Sequence, residues 1–192
     1  MATGLLVILL GKGTKISERV MGHDKTYEGT LRLGIETDSQ DADGQIVAEK
    51  DATAITADQV RAQLDARRGD QLQTPPMVSA IKLNGVPLYK LARKGETVER
   101  KPKLIHVYRF DLLDFAPPDV RFVVECTKGT YVRTLAHDVG QSLGVGAHLV
   151  QLRRTKIGRI DVAHAHALDA LLDAPSLDGK IIPLAAALPL LS

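Results

Sequence analysis

The stretch RFVVECTKGTYVRTLAHDVGQSLG, residues 121–144, joins a strand pattern to a helix pattern through a short glycine turn. Its first part alternates around Phe122, Val124 and Cys126, as expected for a strand with one buried face. After the turn, an apolar stripe at helical spacing extends over residues 132–143, and a glycine then marks the helix end. Strand, turn and helix in this order predict an α+β fold in which helices pack against a mixed sheet.

Similar patterns occur on both sides of this stretch. Residues 26–33 alternate as a half-buried strand does, and the apolar run 5–10 has the length of a buried strand. Residues 56–59 carry a Thr-x-x-Gln capping-box pattern, which predicts the start of a helix that continues towards Gly69. A further short helix is expected over residues 163–172. Strand and helix patterns therefore alternate along the chain.

Composition limits the possible classes of protein. The chain has 192 residues, 44% of them hydrophobic and 25% charged, which is ordinary for one globular domain. Cys126 is its single cysteine, which excludes an intrachain disulfide and a cysteine-rich metal site and favours a cytoplasmic protein. The apolar runs are too short to span a membrane. We therefore expect no membrane partner.

Basic residues are concentrated between Lys82 and Lys103. This stretch has seven basic residues and two glutamates, a local balance of +5 (7 − 2), in a chain whose net charge is +2. It also contains prolines and Asn84-Gly85, a strong hairpin-turn signal. We expect a projecting, loop-rich insertion over residues 74–103. Its charge fits a polyanion-binding face, and it fits a solvated loop equally well.

Three patterns that resemble reactive or metal sites do not satisfy the chemistry. The run Asp41-Ala42-Asp43-Gly44 looks like the centre of a calcium loop, but its register puts Ser39 at the first ligand position and Lys50 at the twelfth. A calcium loop needs oxygen ligands at both positions, so we interpret the run as an acidic turn. His164 and His166 lie two apart on a predicted helix and cannot share a metal. Cys126 has no activating partner nearby in sequence and is expected to be a buried core residue. We therefore expect no bound metal.

The turn into the central helix is the strongest candidate for chemistry. Residues 128–135, KGTYVRTL, aim backbone N–H groups and first-turn side chains at one point, and helix N-termini favour anions there. Arg133 lies off the apolar stripe of this helix and can face a cleft. An arginine in a structural ion pair would show the same pattern, so both interpretations remain open at this point.

Five blocks of the sequence, in order, resemble the TruB family of tRNA pseudouridine synthases. The resemblance extends from Ala2 to about Leu190. The blocks are ATGLLVILLGKGTK (2–15), DKTYEGTLRLGIETDSQDADG (24–44), TPPMVSAIKLNGVPLYKLARKGE (74–96), CTKGTYVRTLAHDVG (126–140) and GAHLVQLRRTKIG (146–158). No single block would be specific, but five in register are.

This resemblance implies a pseudouridine synthase fold, a mostly antiparallel mixed sheet with flanking helices and a thumb insertion at about 74–103. It implies an isomerase that converts the T-loop uridine of tRNA, position 55, to pseudouridine without a cofactor. Tyr27 matches the active-site tyrosine that stacks on the target base, and Arg133 matches the arginine that pairs with the nucleophilic aspartate. Tyr131 and Leu152 match residues of the substrate pocket.

The expected partner is the T-arm of tRNA, bound by a monomer. Basic residues of the insertion and of two later blocks are the candidate RNA contacts. They are Lys82, Arg93, Lys94, Arg100, Lys101, Lys128, Arg153 and Arg154.

The sequence also departs from the family pattern. In the family, Asp-Pro-x precedes Ala-Thr-Gly, so the nucleophilic aspartate would fall two residues before Met1. The expectation is therefore one catalytic domain over residues 1–192 that is incomplete at the N-terminus, lacks the PUA-like C-terminal extension and is inactive as given. Asp24 and Asp138 are not at the position that the motif demands. The alternative is a non-catalytic tRNA-binding or RNA-folding protein.

Overall fold

A seven-stranded mixed sheet with two helices packed against one face forms the body of the protein. It is seen in a computed structural model that describes residues 2–83, 85–92 and 94–191. The strands, in chain order, are β1 (Thr3–Gly4), β2 (Lys25–Leu33), β3 (Ile35–Thr37), β4 (Ile46–Glu49), β5 (Gly69–Gln73), β6 (Lys82–Leu83), β7 (Val86–Pro87), β8 (Lys103–Ala116), β9 (Asp119–Cys126), β10 (Ala147–Ile157) and β11 (Ile160–Asp161).

The described helices are fewer than the strands. In chain order they are α1 (Ser17–Gly22), α2 (Ala57–Asp65), α3 (Leu88–Ala92), α4 (Val132–Ser142), α5 (Leu168–Leu172) and α6 (Leu184–Ala187). Three segments are 3-10 helices: Gly11–Ile16, Val162–His164 and Leu188–Leu191. None of the described helices is long and apolar enough to cross a membrane.

The sheet has the order β1-β10-β2-β9-β8-β5, with β11 paired to β10 beside this path. Every described neighbour pair is antiparallel except β1 and β10, which are parallel. Helices α2 and α4 contact each other and pack on β8 and β10. The predicted α+β fold with a mostly antiparallel mixed sheet is therefore confirmed.

The hydrophobic core lies between the sheet and these two helices. Phe110 and Phe122 meet edge to face there, with ring centroids 5.2 Å apart. Leu135 and Val139 of α4 are fully buried, as are Val60 and other members of the predicted apolar stripes. Alternation in β9 and helical spacing in α4 thus correctly predicted which faces become buried.

The predicted helix after Thr56 is confirmed, although it ends earlier than expected. The Thr56 hydroxyl accepts from the backbone N–H of Gln59 at 3.3 Å, and the Gln59 side chain accepts from the N–H of Thr56 at 2.9 Å, which completes the capping box. Helix α2 ends at Asp65. Gly69, with φ of +88°, is instead the first residue of β5.

The prediction of a buried strand over residues 5–10 was wrong. Only Thr3 and Gly4 form β1, and one further bond, from Leu5 N to the carbonyl of Arg154 at 2.8 Å, continues the ladder. Leu5 is buried in a small second cluster with Val20 and Ile157, whereas Leu6 is 68% exposed. An unbroken apolar run suggested burial on both sides, but this segment covers the protein with one side only.

The single helix expected over residues 163–172 is also wrong. The structure has the 3-10 helix Val162–His164 and then α5, with residues 165–167 non-helical between them. Asp161 accepts from the N–H of Ala163 at 2.8 Å and caps the first of these helices. His166 therefore lies outside both helices, so the predicted shared helix for the two histidines does not exist.

The described residues of the basic insertion lie mostly in loops, as predicted, and also form the β6–β7 hairpin and α3. Its predicted Asn84-Gly85 turn falls partly outside the described residues, because Asn84 is not among them. A guanidinium N–H of Arg100 donates to the carbonyl of Pro75 at 3.1 Å. This bond joins the two ends of the insertion.

Candidate active site

A cleft of about 280 Å³ opens where β2 and β10 meet the start of α4. Tyr27 of β2, Leu152 of β10, and Tyr131 and Arg133 at the start of α4 all line it. Ala2, just before β1, lies in the same wall. The four residues assigned to the active site by sequence resemblance thus come together from three separate parts of the chain.

The start of α4 is held in place by Gln73, the last residue of β5. The Tyr131 N–H donates to the Gln73 side-chain oxygen at 2.8 Å, and the Gln73 amide donates to the Tyr131 carbonyl at 3.1 Å. Gln73 is itself buried. Gly129, with φ of +81°, makes the turn that brings the chain from β9 into this helix. Sequence reasoning did not identify Gln73, because a glutamine at a strand end carries no signal of its partner.

Arg133 connects the helix to two other segments. One terminal nitrogen forms an ion pair with Asp41 at 2.7 Å, and the other donates to the carbonyl of Val78 in the insertion. The two charged side chains are only 18% and 24% exposed, respectively. The guanidinium also stands over the Tyr131 ring, 5.9 Å from its centroid. Arg133 is therefore fixed at the cleft by a carboxylate, a carbonyl and an aromatic ring.

Asp41 is the functional candidate that sequence reasoning missed. The acidic turn was predicted correctly: the Thr37 hydroxyl donates to the Asp41 carbonyl at 2.7 Å, and the Ser39 hydroxyl donates to its carboxylate at 2.6 Å. Partial burial alone would raise the pKa of Asp41, but hydrogen bonds from Ser39 and Arg133 and the Arg133 charge hold that pKa below its ordinary value. The carboxylate is therefore ionised at neutral pH.

Tyr27 forms the opposite side of the cleft and packs against the core beside Leu152. Arg154 is its partner in the β2–β10 register, so the two side chains lie on the same face of the sheet. Burial raises the pKa of Tyr27, and the nearby Cys126 adds to this rise while Arg154 opposes it. The phenol is therefore neutral at physiological pH and presents a flat aromatic surface to the cleft.

Comparison with known families agrees with this arrangement. Residues 1–132 match the model of the TruB family pseudouridylate synthase N-terminal domain, and residues 133–188 match the tRNA pseudouridylate synthase B C-terminal domain. The chain belongs to the TruB family. Family members are pseudouridine synthases that act on RNA.

Relatives of this TruB-family chain include three proteins named tRNA pseudouridine synthase B. That of Opitutus terrae is 52% identical over 98% of this chain and 79% of its own length. That of Burkholderia mallei is 47% identical over 100% of this chain and 63% of its own length. That of Francisella philomiragia is 46% identical over 96% of this chain and 61% of its own length. The chain thus spans less than two thirds of the length of the last two relatives.

Solved structures show the same fold. A chain in a crystal structure of a Cbf5-Nop10-Gar1 complex superposes with a TM-score of 0.65 at 26% identity, over 90% of this chain and 43% of that one. A chain in an H/ACA RNP bound to a substrate RNA containing 2′-deoxyuridine superposes with a TM-score of 0.60 at 21% identity, over 90% of this chain and 41% of that one. The fold of the TruB-family chain is therefore that of pseudouridine synthases.

The predicted RNA-binding residues of this TruB-family chain fall into separate groups. Lys82, Lys94 and Lys101 are exposed on the insertion, where a contact with RNA stays a prediction. Arg100 is less exposed and is engaged with Pro75. Arg93 lies outside the described residues.

The later basic residues do not form one patch either. Arg154 stands beside Tyr27, whereas Arg153 borders a different cleft, with Thr3 and Arg121. Consecutive residues of a strand point to opposite faces, which explains this separation. Lys128 is exposed in the turn before α4.

Metal-ligating and nucleophilic side chains are sparse in the rest of the described chain. The described residues contain no group of three or more His, Cys, Asp or Glu side chains that could hold a metal ion. Cys126 is 1% exposed, as predicted for a core residue, and burial raises the pKa of its thiol to about 11. A thiol with this pKa is protonated at neutral pH and is a poor nucleophile.

Proposed function

We propose that the cleft of this chain serves the isomerisation of the T-loop uridine of tRNA, position 55, to pseudouridine, with an attacking carboxylate that would come from residues before Met1. The observation that carries the proposal is the convergence of Tyr27, Tyr131, Arg133 and Leu152 on one cleft. The sequence resemblance implies that Tyr27, Tyr131 and Leu152 surround the target base and that Arg133 pairs with the nucleophilic aspartate. The names of the relatives, which specify tRNA pseudouridine synthase B, support the same substrate class.

The reaction breaks the bond between N1 of uracil and C1′ of the ribose and joins C5 to C1′. C5 loses a proton and N1 gains one, so the product is an isomer and no redox partner is required. The target base must first leave its stack, at a cost of about a few kcal/mol. Stacking on Tyr27 would recover on the order of 1–3 kcal/mol of this.

The attacking carboxylate would enter the cleft from the N-terminal side. Ala2 lines the cleft, and the family pattern puts the aspartate three residues before it, which is at most about 10 Å of extended chain. Arg133 can serve that carboxylate as well as Asp41, because a guanidinium has five N–H donors in a planar array. Its charge would keep the nucleophile ionised.

The test compares the 192-residue chain with the same chain extended by a family segment ending in Leu-Asp-Pro. We expect no pseudouridine from the short chain and turnover from the extended one, measured by nucleoside analysis of a tRNA transcript. An extension ending in Leu-Asn-Pro is the matched control and should be inactive.

Two outcomes would contradict this proposal. Clear turnover by the short chain would place the nucleophile inside it, and Asp41 would then be the first carboxylate to test because it lines the cleft. An extended chain that binds the transcript but makes no pseudouridine would favour the non-catalytic RNA-binding protein.

A further inference from the structure

Three basic side chains lie near one another around the Tyr27 end of β2. The ammonium group of Lys25 donates to the carbonyls of Met21 and His23, at 2.7 and 2.5 Å, and so lies at the end of α1. The ammonium nitrogen of Lys128 reaches the same turn, 3.9 Å from where a Cβ on Gly22 would stand. Two positive charges from distant parts of the sequence therefore surround one short piece of backbone.

Arg154 adds the third charge. Its Nε donates to the carbonyl of Leu5 at 2.8 Å, and Arg154 pairs with Tyr27 in the β2–β10 register, so its side chain lies on the Tyr27 side of the sheet. The electrostatic influence of both Arg154 and Lys128 extends to Lys25: burial lowers the pKa of Lys25 most, and these two cations lower it further. We call Lys25, Lys128 and Arg154 the basic rim.

The acidic groups near the basic rim do not neutralise it. Asp24 is the carboxylate whose charge acts on Lys25 and opposes the lowering of its pKa, so the local balance is +2 (3 − 1). Glu125 is opposite Arg109 in the β8–β9 register. Within the described residues, none of the three rim cations takes part in an ion pair. Gathering like charges without a counterion is unfavourable, and an anion placed among them would relieve the repulsion.

We propose that the basic rim binds one backbone phosphate of the RNA, the phosphate that flanks the target uridine on its 5′ or 3′ side. This inference rests on the proposed function, because it takes Tyr27 as the platform for the flipped base. Arg154 is the register partner of that tyrosine, so a nucleotide stacked on Tyr27 would bring its own backbone to the rim. Lys128 is exposed and is the cation that is free to close on the phosphate.

The test measures binding of a T-arm hairpin RNA by fluorescence anisotropy, with the 192-residue chain and with the extended chain. Lys128→Met removes a rim charge and keeps the apolar stem. Lys50→Met is the control, since Lys50 lies beyond the opposite end of β2, against Gly34 and Gly144. Lys128→Met should weaken binding about tenfold and lower the salt slope by roughly 0.7–0.9. Lys50→Met should bind as the parent does.

A hairpin with a single neutral methylphosphonate beside the target uridine identifies the phosphate. One of the two derivatives, the 5′ or the 3′, should bind the parent protein about tenfold more weakly than the normal hairpin does. On that same derivative, Lys128→Met should bind no more weakly than the parent protein. A full additional loss on both derivatives, or unchanged binding by Lys128→Met on the normal hairpin, would overturn the rim site. Pseudouridine formation by the extended chain in that case would leave the proposed function intact. Failure of both chains to bind the hairpin would overturn both proposals.

Discussion

The Arg133–Asp41 ion pair is the residue-scale feature with the clearest consequence for activity. The Asp41 carboxylate is held by the Ser39 hydroxyl and pairs with Arg133. The ion pair therefore fixes the orientation of the guanidinium. Since the pKa of Asp41 is below its ordinary value, the pair persists from neutral into mildly acidic pH. Loss of Asp41 would leave Arg133 charged but free to reorient.

Asp41→Asn in the extended enzyme is therefore expected to lower turnover by about 100-fold, the scale of effect that a displacement of about 1 Å can cause. Affinity for the tRNA should change little, because Asp41 faces the reacting base rather than the RNA backbone. Single-turnover kinetics and filter binding measure the two quantities separately. Asp58→Asn, at an exposed helix position, is the control. Equal losses of turnover and affinity would instead show that Asp41 organises the RNA-docking surface.

Tyr27→Phe and Arg133→Ala should follow the same pattern in the extended enzyme, since both side chains line the cleft. Each is expected to reduce turnover far more than tRNA affinity, measured in the same two assays. If affinity fell in step with turnover for either variant, that residue would be an RNA-docking contact.

Cys126 makes stability dependent on alkaline pH. Its folded-state pKa of about 11 exceeds the ordinary 9.0, so the unfolded chain releases the thiol proton first as the pH rises. The stability associated with the protonated thiol is complete below pH 9 and is lost progressively towards pH 11, by at most about 1.4 kcal/mol per pH unit. Urea unfolding at pH 8 and at pH 10.5 measures this. Cys126→Ala should show a smaller decrease, and an equal decrease would exclude the thiol as its source.

At the scale of elements, the described part of the insertion over residues 74–103 consists of the β6–β7 hairpin, α3 and loops, and it meets the active-site cleft where Arg133 donates to the Val78 carbonyl. Its exposed lysines project from a hairpin and loops, while Arg100 joins its ends. A triple variant, Lys82→Ala, Lys94→Ala and Lys101→Ala, is expected to bind the T-arm hairpin more weakly. Its salt slope should fall by up to about 2–3 units if every lysine contacts a phosphate. Titrations across a salt series measure the slope, and an unchanged slope would identify the lysines as a solvated face.

At the scale of the whole molecule, periodic patterns in the sequence predicted the main strands and helices. They did not predict features that depend on contacts between distant segments of the chain. Alternation around Phe122 and the stripe of α4 depend on local sequence, so β9 and α4 were found nearly to the residue. Arg133 and Asp41 are 92 residues apart, and neither pattern contains the other. The run 5–10 was misjudged because burial on one side or two is set by what packs against it.

The location of Ala2 in the wall of the cleft has a practical consequence for anyone who prepares this protein. An affinity tag joined to Met1 would emerge into the space where the RNA base is expected, and it would compete with the hairpin for Tyr27 and Leu152. A polyhistidine tag at that end should weaken hairpin binding, and proteolytic removal of the tag should restore it. The same tag on the other end of the chain should leave binding unchanged. The position of the tag therefore affects the measured affinity, and preparations tagged at Met1 will understate it.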